Sequence, residues 1–357
     1  MEPFVFHNTT RFVFGPDAEM KTGQEIKALG IERVLLVYGQ GSVTRSGLLD
    51  RVKQSLSDAG VAFNELGGVL PNPLSGLVYE GIELARQNKA DAVLGVGGGS
   101  AIDTAKAIAL GARYDGDFWD FFSGKAVPAD GLPVVTVLTI SAAGSESSNS
   151  AVITNEELTL KRGVRTPFNK PVLSLMNPAL TYSVPPIQKA YGIADMMVHI
   201  FERYFTNTPD VALSDELCEG TLRCVMEAGP KALKSGTDYA AHADLMWAGT
   251  LAHNDTLSPG RQQDWSSHAI AHAISARYDA PHGGVLRHQL TQDPRRFERF
   301  AVKVMGVAPD KKGPEAAAEQ GIQALLAFYE GLGLPTGLSA YGVNEEHLES
   351  LTDEAPF

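Results

Sequence analysis

Cysteine is scarce: two occur among 357 residues, Cys218 and Cys224. They stand six apart in a helical pattern, which turns them toward different faces, so no disulfide between them is expected. Two buried thiols in a reducing compartment is the reading that remains. Basic residues are also in deficit, because Lys and Arg total 30 against 42 Asp and Glu, a formal net charge of -12. A phosphate-backbone partner needs a cationic surplus on one face, so no nucleic acid is expected to bind. No apolar run has the length of a membrane span, and the opening Met1, Glu2, Pro3 and Phe4 lacks the basic and apolar regions of a signal peptide. The expectation is a cytoplasmic protein without membrane attachment.

Three sharp motifs are missing as well. The glycine run Gly97, Gly98, Gly99 is not followed by Lys and Ser/Thr, which excludes the phosphate loop of ATPases. Ile102 stands where the dinucleotide fingerprint has its third glycine. His268 and His272 are spaced like a zinc-peptidase pair, but Ala269 replaces the glutamate that would serve as its base.

What is present describes a two-domain globular protein, since 357 residues exceed one comfortable core and 44% of them are hydrophobic. Short β-branched runs at 34–38, 61–66, 92–96, 134–138 and 172–176 read as strands. Helical patterns at 47–58, 74–89 and 101–110 alternate with them, the arrangement of a mainly parallel sheet. Phe4 to Phe14 reads as a hairpin or an edge strand. Pro185 and Pro186 mark a change of character, since proline suits a helix start and interrupts a helix elsewhere. Beyond them lie helical patterns at 187–205, 211–228, 240–258, 266–278, 294–305 and 314–332. The expected fold is α/β plus all-α: a Rossmann-like parallel-sheet nucleotide-binding domain over 1–184, then a helical metal-binding domain over 185–357.

The strand Ala92 to Val96 runs into Gly97, Gly98, Gly99, Ser100 and a helix start. Glycines admit close backbone approach, and the unsatisfied amides of a helix N-terminus stabilise phosphate. A bare βα turn without a ligand is the alternative, and one such turn does not separate them. After the first strand, the turn of Gly39, Gln40, Gly41 and Ser42 offers small residues with Arg45 close behind. An NAD site usually sets a carboxylate there against the ribose hydroxyl, so this turn leaves space for a 2′-phosphate.

Asp195 and His199 lie four apart on a helix that is apolar on nearly every side. An unpaired buried carboxylate would be prohibitively costly, so Asp195 needs compensation. His268 and His272 sit four apart in another apolar pattern, and His282 follows in a Pro-His-Gly turn. An oxygen ligand with imidazoles is what a catalytic zinc or ferrous ion accepts. Any one of these histidines alone reads more readily as a hydrogen-bonded core residue; jointly they favour a metal. His7, His242, His253 and His288 read as surface or loop residues, with His253 a candidate to line a cleft.

At this point the sequence resembles the iron-containing (group III) alcohol dehydrogenases, in particular their butanol dehydrogenase or broad aldehyde reductase branch. The matching residues are Gly97-Gly98-Gly99-Ser100 with Asp103 and Lys106, Gly144-Ser145-Glu146, Gly192-Ile193-Ala194-Asp195 with His199, Asp264-Trp265 with His268 and His272, and Pro281-His282-Gly283. The resemblance implies a dehydroquinate synthase-like fold, with a single divalent metal, iron or zinc, in a cleft between the domains. It gives Asp195, His199, His268 and His282 the metal-ligand roles and places His272 close to the nicotinamide. His272 and Asp103 are the candidate catalytic residues. Gly97, Gly98, Gly99 and Ser100 would hold the pyrophosphate, Gly39, Gly41 and Ser42 would set the choice of NADP over NAD, and Thr139 and Lys161 would lie on the nicotinamide side.

The chemistry so implied is hydride transfer between NADP, or alternatively NAD, and a small aldehyde or primary alcohol such as butanal or butanol, with the metal polarising the substrate oxygen. A glycerol dehydrogenase or a dehydroquinate-synthase-like lyase shares the fold, but a lyase needs basic residues for a charged substrate, and the residues flanking the ligands read as mainly apolar. A non-catalytic nucleotide-binding protein is the rival from another class, prompted by a segment after His282 shorter than the family pattern. A homodimer joined through the N-terminal segment is the expected assembly.

Overall fold

The computed structural model describes residues 1–265, 268, 293–309, 313–335 and 337. His7–Tyr182 forms one compact unit, and Met1–Phe6 with the described residues from Ser183 onward forms another.

The first unit carries strands β1 (Arg11–Phe14), β2 (Arg33–Gly39), β3 (Ala62–Val69), β4 (Ala92–Gly97), β5 (Val134–Leu138), β6 (Ser150–Asn155), β7 (Leu160–Arg165) and β8 (Leu173–Met176). Its helices are α1 (Thr22–Ala28), α2 (Ser42–Arg45), α3 (Leu48–Asp58), α4 (Ser75–Gln87), α5 (Gly99–Ala112) and α6 (Trp119–Ser123). Six strands form a parallel sheet in the order β1-β8-β5-β4-β2-β3. The central strands are buried along their length and mostly hydrophobic because both of their faces are covered; Thr136 of β5 and Ser174 of β8 are the polar exceptions, and they bond each other at 2.9 Å. Leu35, Val37 and Val93 enter a core shared with α4, α5 and α6, while Val34, Leu36 and Leu94 enter a second core with α1 and α3.

Close packing of α5 on the sheet takes a small residue from the strand. A Cβ at Gly95 would lie 3.2 Å from that of Ala105, so Gly95 supplies the approach that a fingerprint's third glycine would otherwise permit. From β2 the chain crosses to β3 at the sheet edge, then returns past β2 to β4. The direction of winding therefore reverses between β2 and β4. Tyr38 pairs in register with Val96, so the carboxyl ends of these two strands lie side by side. In doubly wound sheets that reversal is where ligands bind.

Of the two readings of Phe4 to Phe14, the edge strand is the one that forms: Arg11–Phe14 pairs parallel to β8 at the sheet edge, and no hairpin is present there. The antiparallel pair β6–β7 was not anticipated, because β7 (LKRGVR) is charged and carries a glycine. Its partner β6 does alternate between half-buried and buried residues, the mark of a strand covered on one face.

The second unit contains α7 (Pro186–Tyr204), α8 (Ala212–Lys234), α9 (Tyr239–His253), α10 (Pro294–Lys303) and α11 (Pro314–Gly331), with no strand among the described residues. Pro186 opens α7 at its first position, where its missing N–H costs nothing. Ile193, Met197, Ile200 and Phe201 of α7 pack with Leu222, Leu245, Phe300 and Leu325 into one core. Both cysteines lie on α8 and are free. Cys218 is buried, which pushes its thiol up to about 11, and Cys224 is half-buried rather than buried. Among the described residues no helix is long and apolar enough to cross a membrane.

Candidate metal centre and nucleotide cradle

Helix α7 presents Asp195, His199 and Glu202 at i, i+4 and i+7, which is one helical face. His268 meets that face. One donor atom from each of Asp195, His199 and His268 lies within 4.8 Å of the others, and both histidines are buried. The Nδ1 of His199 is 2.9 Å from the Asp195 carbonyl oxygen and 3.6 Å from its Oδ1. With Nδ1 bonded to that carbonyl, Nε2 is the nitrogen His199 has to offer. His268 is held by Glu202, whose Oε1 accepts from the His268 backbone N–H at 2.9 Å and lies 2.7 Å from Nδ1. One carboxylate oxygen and two imidazoles converging in a buried place suit a divalent zinc or ferrous ion, which takes nitrogen and oxygen donors with a position left for substrate. The donor set therefore fits the metal that the sequence implies.

The surroundings of these three side chains are less apolar than the sequence suggests. His253, which the sequence offers as a candidate to line a cleft, is half-buried, with its ring centroid 4.2 Å from that of His199. Trp265 stacks edge-on near His268 with centroids 5.0 Å apart. The Arg203 guanidinium lies 4.8 Å from the Trp265 centroid and donates to the His199 carbonyl at 2.6 Å and to Ser258 Oγ at 2.9 Å. His242 is buried on α9 and its pKa is lowered by that burial and by Lys189. The sequence does not place His242 in the interior, because α9 is apolar on most sides and shows no face to orient it. His272 and His282 lie outside the described residues, as does His288.

In the α/β unit the glycine turn closes β4 and starts α5. Gly97 has a φ of 155° and a Cβ there would meet Ala101 at 2.8 Å, while one at Gly98 would meet Ile140 at 2.5 Å. Beside Gly99 there is open space. No side chain caps α5, so the amides of its first turn face that opening with the helix dipole behind them, as a phosphate requires. Thr139 donates its backbone N–H to the Gly97 carbonyl at 3.0 Å, which puts it beside the turn. Ser100 accepts from Thr104 Oγ through its carbonyl at 2.9 Å. At the neighbouring strand end, Gly39 closes β2 and Gly41 precedes Ser42 at the start of α2. A Cβ at Gly41 would lie 2.5 Å from Arg45 Nη1, so a guanidinium lies over this turn. Lys161 on β7 donates to Asn72 Oδ1 at 2.7 Å.

Asp103 and Lys106 lie one turn apart on α5; Lys106 is buried, Asp103 half-buried, and both are held by hydrogen bonds. Asp103 accepts from Ser145 Oγ at 2.5 Å and from the Val152 N–H at 3.0 Å. Burial pushes its carboxyl up, against the opposing pull of Lys106. The Lys106 ammonium is surrounded by Ser145 Oγ, the Ser148 carbonyl and Oγ, and the Ser150 carbonyl, at 2.8 to 3.2 Å. The pair thus ties the helix that carries the cradle to the loop after β5.

A parallel sheet with an uncapped glycine turn, and a helical unit with a carboxylate–imidazole cluster, define the class of two-domain, metal-dependent, nucleotide-linked enzymes. Comparison with known proteins narrows that class. Residues 9–178 match the family model described as iron-containing alcohol dehydrogenase, and residues 189–356 match the C-terminal model of the Fe-containing alcohol dehydrogenase family. The chain is 42% identical over 99% of its length to the probable NADH-dependent butanol dehydrogenase 1 of Bacillus subtilis (strain 168), covering 94% of that protein. It is 34% identical over 98% of its length to the NADPH-dependent aldehyde reductase YqhD of Escherichia coli (strain K12), covering 92% of it. The crystal structure of NADH-dependent butanol dehydrogenase A from Thermotoga maritima superposes with a TM-score of 0.94 at 39% identity, over 99% of this chain and 90% of that one. This chain belongs to the iron-containing alcohol dehydrogenase family. It is accordingly an oxidoreductase that works with a nicotinamide cofactor and a divalent metal.

Proposed function

We propose that the protein reduces small uncharged aldehydes of the butanal type to primary alcohols, and catalyses the reverse, with a divalent metal held by Asp195, His199 and His268. The observation that carries this reading is the buried convergence of those three side chains within 4.8 Å. His282 is proposed as the fourth ligand and His272 as a group near the nicotinamide, on the resemblance of their sequence surroundings to the family pattern. When bound, the metal supplies Lewis acidity toward a substrate oxygen and the nicotinamide supplies the hydride. The protein's own part is to fix the donors: the Asp195 carbonyl sets the His199 ring, and Glu202 sets the His268 ring. The rings of Trp265 and His253 pack against His199 on that face of α7.

The pyrophosphate is proposed to lie on Gly97, Gly98, Gly99 and Ser100, with Thr139 and Lys161 toward the nicotinamide. NADP is the proposed cofactor. Its support is the lack of a carboxylate in the turn of Gly39, Gly41 and Ser42 and the Arg45 guanidinium beside it, which would receive a 2′-phosphate. NAD is the second reading, favoured by the names of the butanol dehydrogenases reported above. Asp103, tied to Ser145 and Val152, is proposed to serve catalysis by holding the loop after β5. A homodimer joined at the exposed edge of β1 and a cytoplasmic location complete the reading.

Purified protein loaded with ferrous or zinc ion is expected to oxidise NADPH in the presence of butanal, more efficiently than NADH. A chelator should abolish turnover and added metal should restore it. Normal binding of NADPH without turnover in the metal-loaded protein would contradict the enzymatic reading, and a higher kcat/KM for NADH would overturn the cofactor assignment alone.

A further inference from the structure

Glu202 has no part in the ligand set, yet its geometry toward His268 is more specific than core packing requires. It lies seven residues after Asp195 and three after His199, on the ligand-bearing face of α7. Its side chain is 1% exposed. A single oxygen, Oε1, is 2.9 Å from the His268 backbone nitrogen and 2.7 Å from its Nδ1. The Glu202 carbonyl also accepts from the Asp264 N–H at 2.9 Å. One residue of α7 therefore grips the chain leading to His268 through its backbone and the histidine through both its main chain and its ring.

We infer that Glu202 is the positioning residue of the metal centre, holding His268 in the tautomer and orientation that present Nε2 to the cation. An ionised carboxylate only accepts hydrogen bonds, so an Nδ1 at 2.7 Å must carry the proton. The neutral ring then has its lone pair on Nε2, the nitrogen left to ligate. The negative charge behind the ring also strengthens Nε2 as a donor, as in carboxylate–histidine–metal arrangements generally. The backbone hydrogen bond fixes the root of the side chain, and the Nδ1 contact restrains the two side-chain torsions that remain.

This inference rests on the metal reading above, and cobalt(II) titration of the metal-free protein separates the two. Wild-type protein is expected to bind cobalt and His268→Ala to lose that binding. Glu202→Gln keeps an acceptor of the same shape and removes the charge; it should raise the cobalt dissociation constant about 10- to 100-fold, while the circular dichroism of the metal-free protein stays that of wild type. A purely structural hydrogen bond would be satisfied by Gln, so wild-type affinity in Glu202→Gln overturns the inference. Should that variant fail to fold, Glu202→Asp, which keeps the charge one methylene short of the ring, is expected to weaken binding, and undiminished affinity there overturns it equally. If wild type and His268→Ala take up cobalt alike, it is the metal reading that fails.

Discussion

Lys106 shows how one buried charge becomes measurable. Its burial lowers the ammonium from an ordinary 10.5 to about 8, with Asp103 and Glu146 pulling it partly back up. Below pH 8 the folded and unfolded chains both hold the proton, and the full cost of the buried charge is present. Between about pH 8 and 10.5 the folded chain releases a proton that the unfolded chain still binds, so this group's contribution to stability rises with pH there. Denaturation of wild type and Lys106→Met across that range is expected to show the rise only in wild type. Equal pH slopes in the two would contradict it. At this scale the sequence was partly legible. Asp195, His199 and His268 could be singled out because a charge or imidazole in an apolar helix needs a partner. Glu202 and Arg203, both 1% exposed, could not, since nothing in the local pattern shows that a charged pair at the end of that helix turns inward.

Between elements, one carboxylate organises much of the helical unit. Asp215 of α8 bonds Arg261, whose guanidinium donates at 2.9 Å, and also Arg296 of α10. The Arg261 side chain is fully buried and also donates to the Arg203 carbonyl, so the network reaches the helix that carries Asp195 and His199. Nearby, Arg299 bonds Glu219, which accepts from the Tyr204 hydroxyl at 2.9 Å. Removing one member of such a group leaves opposite charges buried without compensation. Asp215→Ala is therefore expected to cost about 3–5 kcal/mol, read from urea denaturation, and a loss within the range of an exposed ion pair would show that the arginines find other partners. Most of these helices were legible from their apolar stripes. The β6–β7 pair was not, because its pairing rests on cross-strand register rather than on hydrophobic alternation in both strands.

For the molecule as a whole, the alternation of strand and helix in 30–180 and its replacement by helix afterwards already separate two kinds of construction. Strand order escapes such a reading, since the reversal between β2 and β4 depends on contacts distant in sequence. That reversal nonetheless brings the two glycine turns to adjacent strand ends, and each turn was legible as glycines following a strand pattern. The central claim is that Asp195, His199 and His268 hold a divalent metal on which turnover depends. Its most direct test is the metal content of wild type, Asp195→Asn and His268→Ala after anaerobic loading with ferrous or zinc ion and removal of the excess. Wild type should retain a single equivalent per chain and both variants should lose it while remaining folded; equal retention in all three would contradict the claim.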